Sequence, residues 1–428
     1  MSRSKPYLGS DEEMDVTVQP RGTLRLGKVE GDLHIQDEGI VEVEGEELIV
    51  TGFVICYGDA EIKGSVRAEG FRYHEEGFRR FRREGGRIRV HGDLNARDGV
   101  DVRSFLGVKG NLSAAEVDVG GALEVGGETS CRSIDVGGRL VVRGRLKVST
   151  LNVGGSAHID GEAEADDVDV GGHIEVGGNC KIQRLNCGGK AEVGGGEIED
   201  IDVGGSFESL RALKFKSIDV GGTVTLRAKG EGERIDVGGK VETLGDLGVD
   251  KLDVGGTVKV DGNLEGGSVD VGGSVQVNGD MTLSSDIDVG GAIRLRGFGK
   301  MRSLDVGGSL EADGAAVERD ADIGGRVNTR RGLKAERIRL GRRGSAIGPL
   351  IGEEIRIGRD AEVEDVYAGY LEMEEGVSAR NLYMRRGSIG RGCRVYGSVK
   401  YLESIDVDRN ADLSVPPEKV QSLPSPPL

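Results

Sequence analysis

The stretch "SIDVGGRLVVRGRLKVS", residues 133–149, decides how the rest of the chain is read. Ile134 and Val136 flank Asp135, Leu140 and Val142 flank Val141, and Leu146 and Val148 flank Lys147. Apolar residues at every second position mark strands with one buried face. Three such runs separated by glycines make a unit of three short strands and three corners. The unit recurs. Glycine pairs beginning at Gly120, Gly137, Gly154, Gly171 and Gly188 lie 17 residues apart. After one step of 16 the series runs from Gly204 to Gly272, takes one step of 18 to Gly290, and ends at Gly324. A fixed period of this kind is the signature of a repeat architecture.

The apolar columns hold along the array. Three residues after the first glycine stand Leu123, Leu140, Ala157, Ile174 and their successors to Val327. Two residues further on the column is again aliphatic, with Ser209, Thr243, Ala312 and Thr329 as exceptions. A helical solenoid unit needs roughly 33 residues or more, so this unit is too short for one. Coiled strands of four to five residues would stack like on like at about 4.8 Å in parallel sheets. The expected fold is all-β: a single-stranded parallel β-helix, or solenoid, with about 17 residues per turn. Unequal sides and a slipping step favour a right-handed coil over the left-handed hexapeptide helix. Glycine is expected at the corner because it tolerates positive φ and lets stacked backbones approach closely.

The acid before each glycine pair forms its own column, including Asp219, Asp236, Asp253 and Asp270, with Asn152 and Asn186 interspersed. It is a candidate cation ladder. The favoured reading is structural: each carboxylate accepts the N–H of the glycine two residues on, as in an Asx turn.

The expected organisation follows. Residues 1–13 are a polar, disordered tail, 14–70 irregular β-helix turns, and 71–87 a basic and aromatic insertion. Residues 88–336 hold the regular array, 337–413 further β-helix, and 414–428 a proline-rich disordered tail. The insertion contains Phe71, Phe78, Arg79, Arg80, Phe81, Arg82 and Arg83 and fits no strand. As a loop it either packs on the flank or docks, through residues 71–86, on an anionic membrane surface or a protein partner. Tyr367, Tyr383 and Tyr401 are 16 and 18 apart. They are expected to stack on one face, as a core cap or a partner surface.

Composition narrows the function. A net charge of −17 without long one-sign blocks disfavours nucleic-acid binding. Aromatics make up only 4% and tryptophan is absent, which argues against stacking platforms for sugars or bases. Five cysteines without a CxxC pair indicate neither a disulfide framework nor a zinc knuckle, and Cys187 replaces a core valine. No secretory h-region and no membrane span is visible, so the expected location is the cytoplasm, membrane-associated if the insertion docks there. P-loop, nucleophile-elbow and HExxH motifs are missing, and His34, His74, His91, His158 and His173 fall on no repeated column. The expectation is a protein that is not an enzyme and carries no cofactor.

The stretches "IKGSVRAEG" (62–70) and "IRVHGDLNARDGV" (88–100), rungs such as "LDVGGSLEADG" (304–314), and a core between polar and proline-rich tails resemble the bactofilins, the polymer-forming cytoskeletal proteins. The resemblance covers most of residues 20–413 at the level of pattern. It implies a right-handed triangular β-helix that polymerises end to end into nucleotide-free filaments, often at a membrane. The chain departs from that family in its length, its regular centre and its insertion. A second resemblance is to the glycine-repeat β-helix domains of glutamate synthase and formylmethanofuran dehydrogenase. The expected function is a structural, self-assembling scaffold whose partner is itself. The alternatives are a monomeric β-helical binding rod or a non-catalytic subunit of a larger enzyme.

Overall fold

The computed structural model describes residues 14–74 and 86–427. Residues 1–204 and 205–428 form two compact units. In both, the described residues form strands and turns without a helix.

In the first unit, strand Leu146–Val153 pairs in parallel with Ala163–Val170, and Ser156–Ile159 with His173–Val176, each residue meeting its counterpart one repeat later. Leu146, Val148, Leu151, Val153, Ala157 and Ile159 all face inward and are at most 4% exposed. Val148 and Leu151 are three apart yet both buried, so the eight-residue strand bends between them. The three inward pairs expected of each turn are present, with one corner a bend inside a strand. Stacking puts Ile134, Leu151, Val168, Leu185 and Ile201 in one column. Burying such a side chain contributes roughly 1.5–3 kcal/mol, and only the neighbouring turns make that burial available. The one shortened step of this unit is absorbed at Gly195 and Gly196, whose φ values are 121° and 111°.

The second unit repeats the pattern. Leu247–Val254 pairs with Leu264–Val271, and Thr257–Val260 with Ser274–Val277, again in parallel. The 18-residue step of the glycine pairs, from Gly272 to Gly290, splits the long strand into Met281–Leu283 and Asp286–Val289. Leu264 pairs with Met281 at the regular offset, but Val269 pairs with Ile287, one position further on. A parallel β-solenoid of about 17 residues per turn is therefore the fold of each unit.

Half of the expected reason for the glycine pairs is corrected. No glycine of the pairs from 120/121 to 324/325 has a positive φ. What demands glycine is space. A Cβ on Gly138 would stand 2.5 Å from the carbonyl oxygen of Gly121, and one on Gly137 would collide with that of Gly120. Both N–H groups bond to the previous turn, Gly137 to Val119 at 3.0 Å and Gly138 to Gly121 at 2.9 Å.

Two segments differ from expectation. Phe71 lies in strand Gly70–Tyr73, pairs with Val54 and is fully buried. It is a core residue and no surface for a partner. Ile88 pairs with Ala60, 28 positions earlier, so the inserted length is eleven residues beyond a regular turn. At the other end, the segment read as a disordered tail extends the sheet. Glu418–Lys419 pairs with Lys400 and Tyr401, and Val420 donates to the Tyr401 carbonyl at 2.9 Å.

Deleting one whole turn, residues 240–256, should leave a folded protein, because Val241 and Val258 occupy the same column and the neighbours rejoin in register. Deleting residues 240–248 should cost several kilocalories per mole, because inward columns then meet corners. Thermal melts followed by circular dichroism compare the two, and equal midpoints would contradict the 17-residue register.

Candidate functional site

The acid column is a ladder, since Asp219, Asp236, Asp253 and Asp270 pair in register on successive turns. The expected Asx turn is not what holds them. The glycine N–H groups are taken by carbonyls of the turn before, so these carboxylates point outward from mid-strand. Arg234 meets Asp236 at 2.9 Å and Arg339 meets Asp322 at 3.3 Å. Partial burial, then the like charges of Asp101 and Asp135, push the Asp118 carboxyl above its usual range. Burial, then Asp288 and Asp322, does the same to Asp305. Among the described residues, no group of three His, Cys, Asp or Glu side chains is gathered as a metal site requires. The ladder thus carries neither the expected hydrogen bonds nor a cation cage.

The Asx role belongs to another column that sequence reasoning missed. Asp246 Oδ1 accepts the N–H of Asn263 at 2.8 Å, Asn263 Oδ1 that of Asp280 at 2.9 Å, and Asp280 Oδ1 that of Phe298 at 2.7 Å. In the first unit Asp93 serves Asn111, and Asn111 serves Glu128. Each residue satisfies the main chain of the turn above it. The signal was legible as Gly followed by Asp or Asn and then an aliphatic residue, in "HGDL", "KGNL", "LGDL" and "DGNL".

The tyrosine column holds two members. Tyr367 and Tyr383 pair in register with ring centroids 4.9 Å apart. Burial first, then Tyr383 and Asp365, raises the Tyr367 hydroxyl above its usual pKa. Tyr401 pairs instead with Met384, which leaves Lys400 next in line after Tyr383. A register shift between Met384 and Arg386 follows this pairing. Tyr367 and Tyr383 border a groove of about 850 Å³ in the second unit, to which Ile351, Leu402, Leu423 and Pro424 also contribute.

Of the insertion, Phe78, Arg79, Arg80, Phe81, Arg82 and Arg83 lie outside the described residues. Arg72, at its start, stacks its guanidinium over the Phe53 ring at 3.8 Å. The five cysteines are free. Burial pushes the Cys56 thiol up to about 12, and Cys187 is the core residue its column implied, 4% exposed.

The coil ends complete the surfaces. Among the described residues, strands Val16–Val18, Thr23–Leu26 and Lys28–Val29 pair on one side only, and Leu24 and Leu26 are half-buried. In the second unit, Ser404–Val407 pair with residues 386–389 on one side, and no described strand pairs with their other edge. Ile405 and Val407 are half-exposed there. No family model matches the chain, and no curated protein or solved structure gives a significant match.

Asn263→Ala should cost about 1 kcal/mol in denaturant unfolding, because the Asp280 N–H loses its acceptor. The raised carboxyl of Asp305 gives the opposite sign. Its burden is absent below the unfolded carboxylate value near 3.9 and in force once pH passes the raised folded value. Asp305→Asn should therefore stabilise the protein by a few tenths of a kilocalorie per mole at neutral pH. That gain should vanish as pH falls through the carboxylate range, which paired melts across pH will read.

Proposed function

We propose that this protein is a structural, self-assembling scaffold of the bactofilin kind, with a right-handed triangular coil, whose copies join through their β-helix ends without nucleotide. The observation that carries the reading is the open edge at Ser404–Val407, where main-chain groups lack a partner among the described strands and apolar side chains are half-exposed. An edge of this sort is a template for another chain, and the same backbone pairing that joins turns within a unit would join copies. Charge supplies a bias for contacts between copies, since residues 12–61 hold thirteen acids against three bases and residues 326–359 ten bases against three acids. The partner is a second copy of the chain. Five free cysteines suit a reducing cytoplasm, and Phe78, Arg79, Arg80, Phe81, Arg82 and Arg83 would hold an assembly at an anionic membrane.

The groove beside Tyr367 favours a second reading, a monomeric rod that binds a peptide or small ligand. Sedimentation of pure protein separates the two.

Asp408 N–H bonds back to Ile389 at 3.0 Å, so by strand alternation the Val407 N–H faces the open edge. Val407→Pro then removes a donor from the edge and none from within the chain. Negative-stain microscopy without ATP or GTP should show filaments or end-joined oligomers, and Val407→Pro should shorten them while the melting midpoint holds. A strictly monomeric protein at high micromolar concentration across a range of salt would sink the proposal.

A further inference from the structure

The groove of the second unit has an ordered floor. Thr282, Lys300, Ala316 and Lys334 pair in sequence on successive turns. The same ladder continues through Ile351, Tyr367 and Tyr383. These are the outward residues of one side, because their neighbours Leu283, Met301, Val317, Ala335 and Ala368 are buried. At the spacing of a sheet, seven turns give a floor about 29 Å long. Its upper end is the Tyr367–Tyr383 stack.

The floor is already covered in part. Ile351 faces outward yet is only 7% exposed, and Leu423, Pro424 and Pro426 line the same groove. The C-terminal segment turns back from its bond to Tyr401 at Val420, with Leu423 half-buried and Pro424 and Pro426 exposed. Residues 420–427 read "VQSLPSPP" and carry no charge. In polyproline II form, eight residues reach about 25 Å, close to the length of the floor. Proline-rich segments lose little entropy on docking and pack on aromatic-lined grooves. The charges lining the groove are balanced, Lys300, Lys334 and Arg385 against Glu318, Glu336 and Glu353. Arg385 and Glu353 already pair at 3.5 Å. A neutral peptide fits this lining better than a charged one.

We propose that this groove is a binding site for an uncharged, proline-rich peptide in polyproline II conformation, and that residues 420–427 occupy it in cis as a displaceable strap. Two of the three strap residues that line the groove stay exposed, so the strap holds by a small contact and by its tether. A tether supplies a local concentration on the order of millimolar. A free peptide that binds the open groove near 100 μM would then bind the strapped chain roughly tenfold more weakly.

The test is a fluorescence-anisotropy titration with labelled peptide "VQSLPSPP" against the intact chain, a chain ending at Lys419, and an intact chain carrying Leu423→Asp. Saturable binding is expected to the shortened and Leu423→Asp chains, roughly tenfold weaker binding to the intact one, and a further loss on Tyr383→Ala in the shortened chain. If the shortened chain fails to fold by circular dichroism, Leu423→Asp carries the comparison. The proposal is overturned if the peptide does not saturate either opened chain up to about millimolar concentration, or binds opened and intact chains alike. The titration reads the flank of single chains at low micromolar concentration, so its failure leaves end joining untouched and a failure of assembly leaves the groove untouched.

Discussion

Everything in these two units depends on the main-chain hydrogen bond between one turn and the next, made at a separation that only bare backbone tolerates at the corner. Gly137 and Gly138 reach Val119 and Gly121 because no side chain stands between the stacked corners. Glycine is usually a liability in a strand, since it loses conformational freedom and adds no packing. Here the loss is offset by two bonds per corner and by bringing the aliphatic columns into contact. The regular period follows from keeping that corner in line, and departures are absorbed elsewhere, at Gly195 and Gly196 or in the divided strand after Met281.

Much of this was legible in the sequence because a solenoid converts spatial neighbours into fixed offsets. Ile134, Leu151 and Val168 are apolar at one spacing, and the structure stacks them. Phe71 was legible too, standing one full repeat after Val54, but a run of arginines and phenylalanines drew it into the insertion. The acid column misled because an aspartate two residues before a glycine suggests a local turn, whereas the glycine N–H has a better acceptor one turn away. Real Asx bonds link Asp246, Asn263 and Asp280 between turns, and the recurring Gly-Asp/Asn-aliphatic triplet marks their place while saying nothing of the partner, which stands a whole turn of chain away. Tyr401 escaped its column because it stands 18 residues after Tyr383 where the turn steps by 17, and one place of offset turns a side chain to the other face.

A repeated surface is a poor place for a unique site, since each turn offers nearly what its neighbours offer. The candidate surfaces accordingly lie where repetition lapses. The regular outward ladder gives way to Ile351, Tyr367 and Tyr383, and a groove forms beside them. Along Ser404–Val407 no described strand adds to the sheet, and an unpaired edge is left. Both depend on the same stacked frame, which fixes their spacing without contributing chemistry of its own.

The bond pattern also sets how such a chain answers mechanical load. Each turn is tied mainly to its two neighbours, so tension applied to a chain terminus would peel one coil before loading the next. Every released coil would add roughly 60 Å of contour length. A pulled unit would therefore yield as a staircase of equal extensions at similar forces, dissipating work over many small ruptures instead of failing in one event.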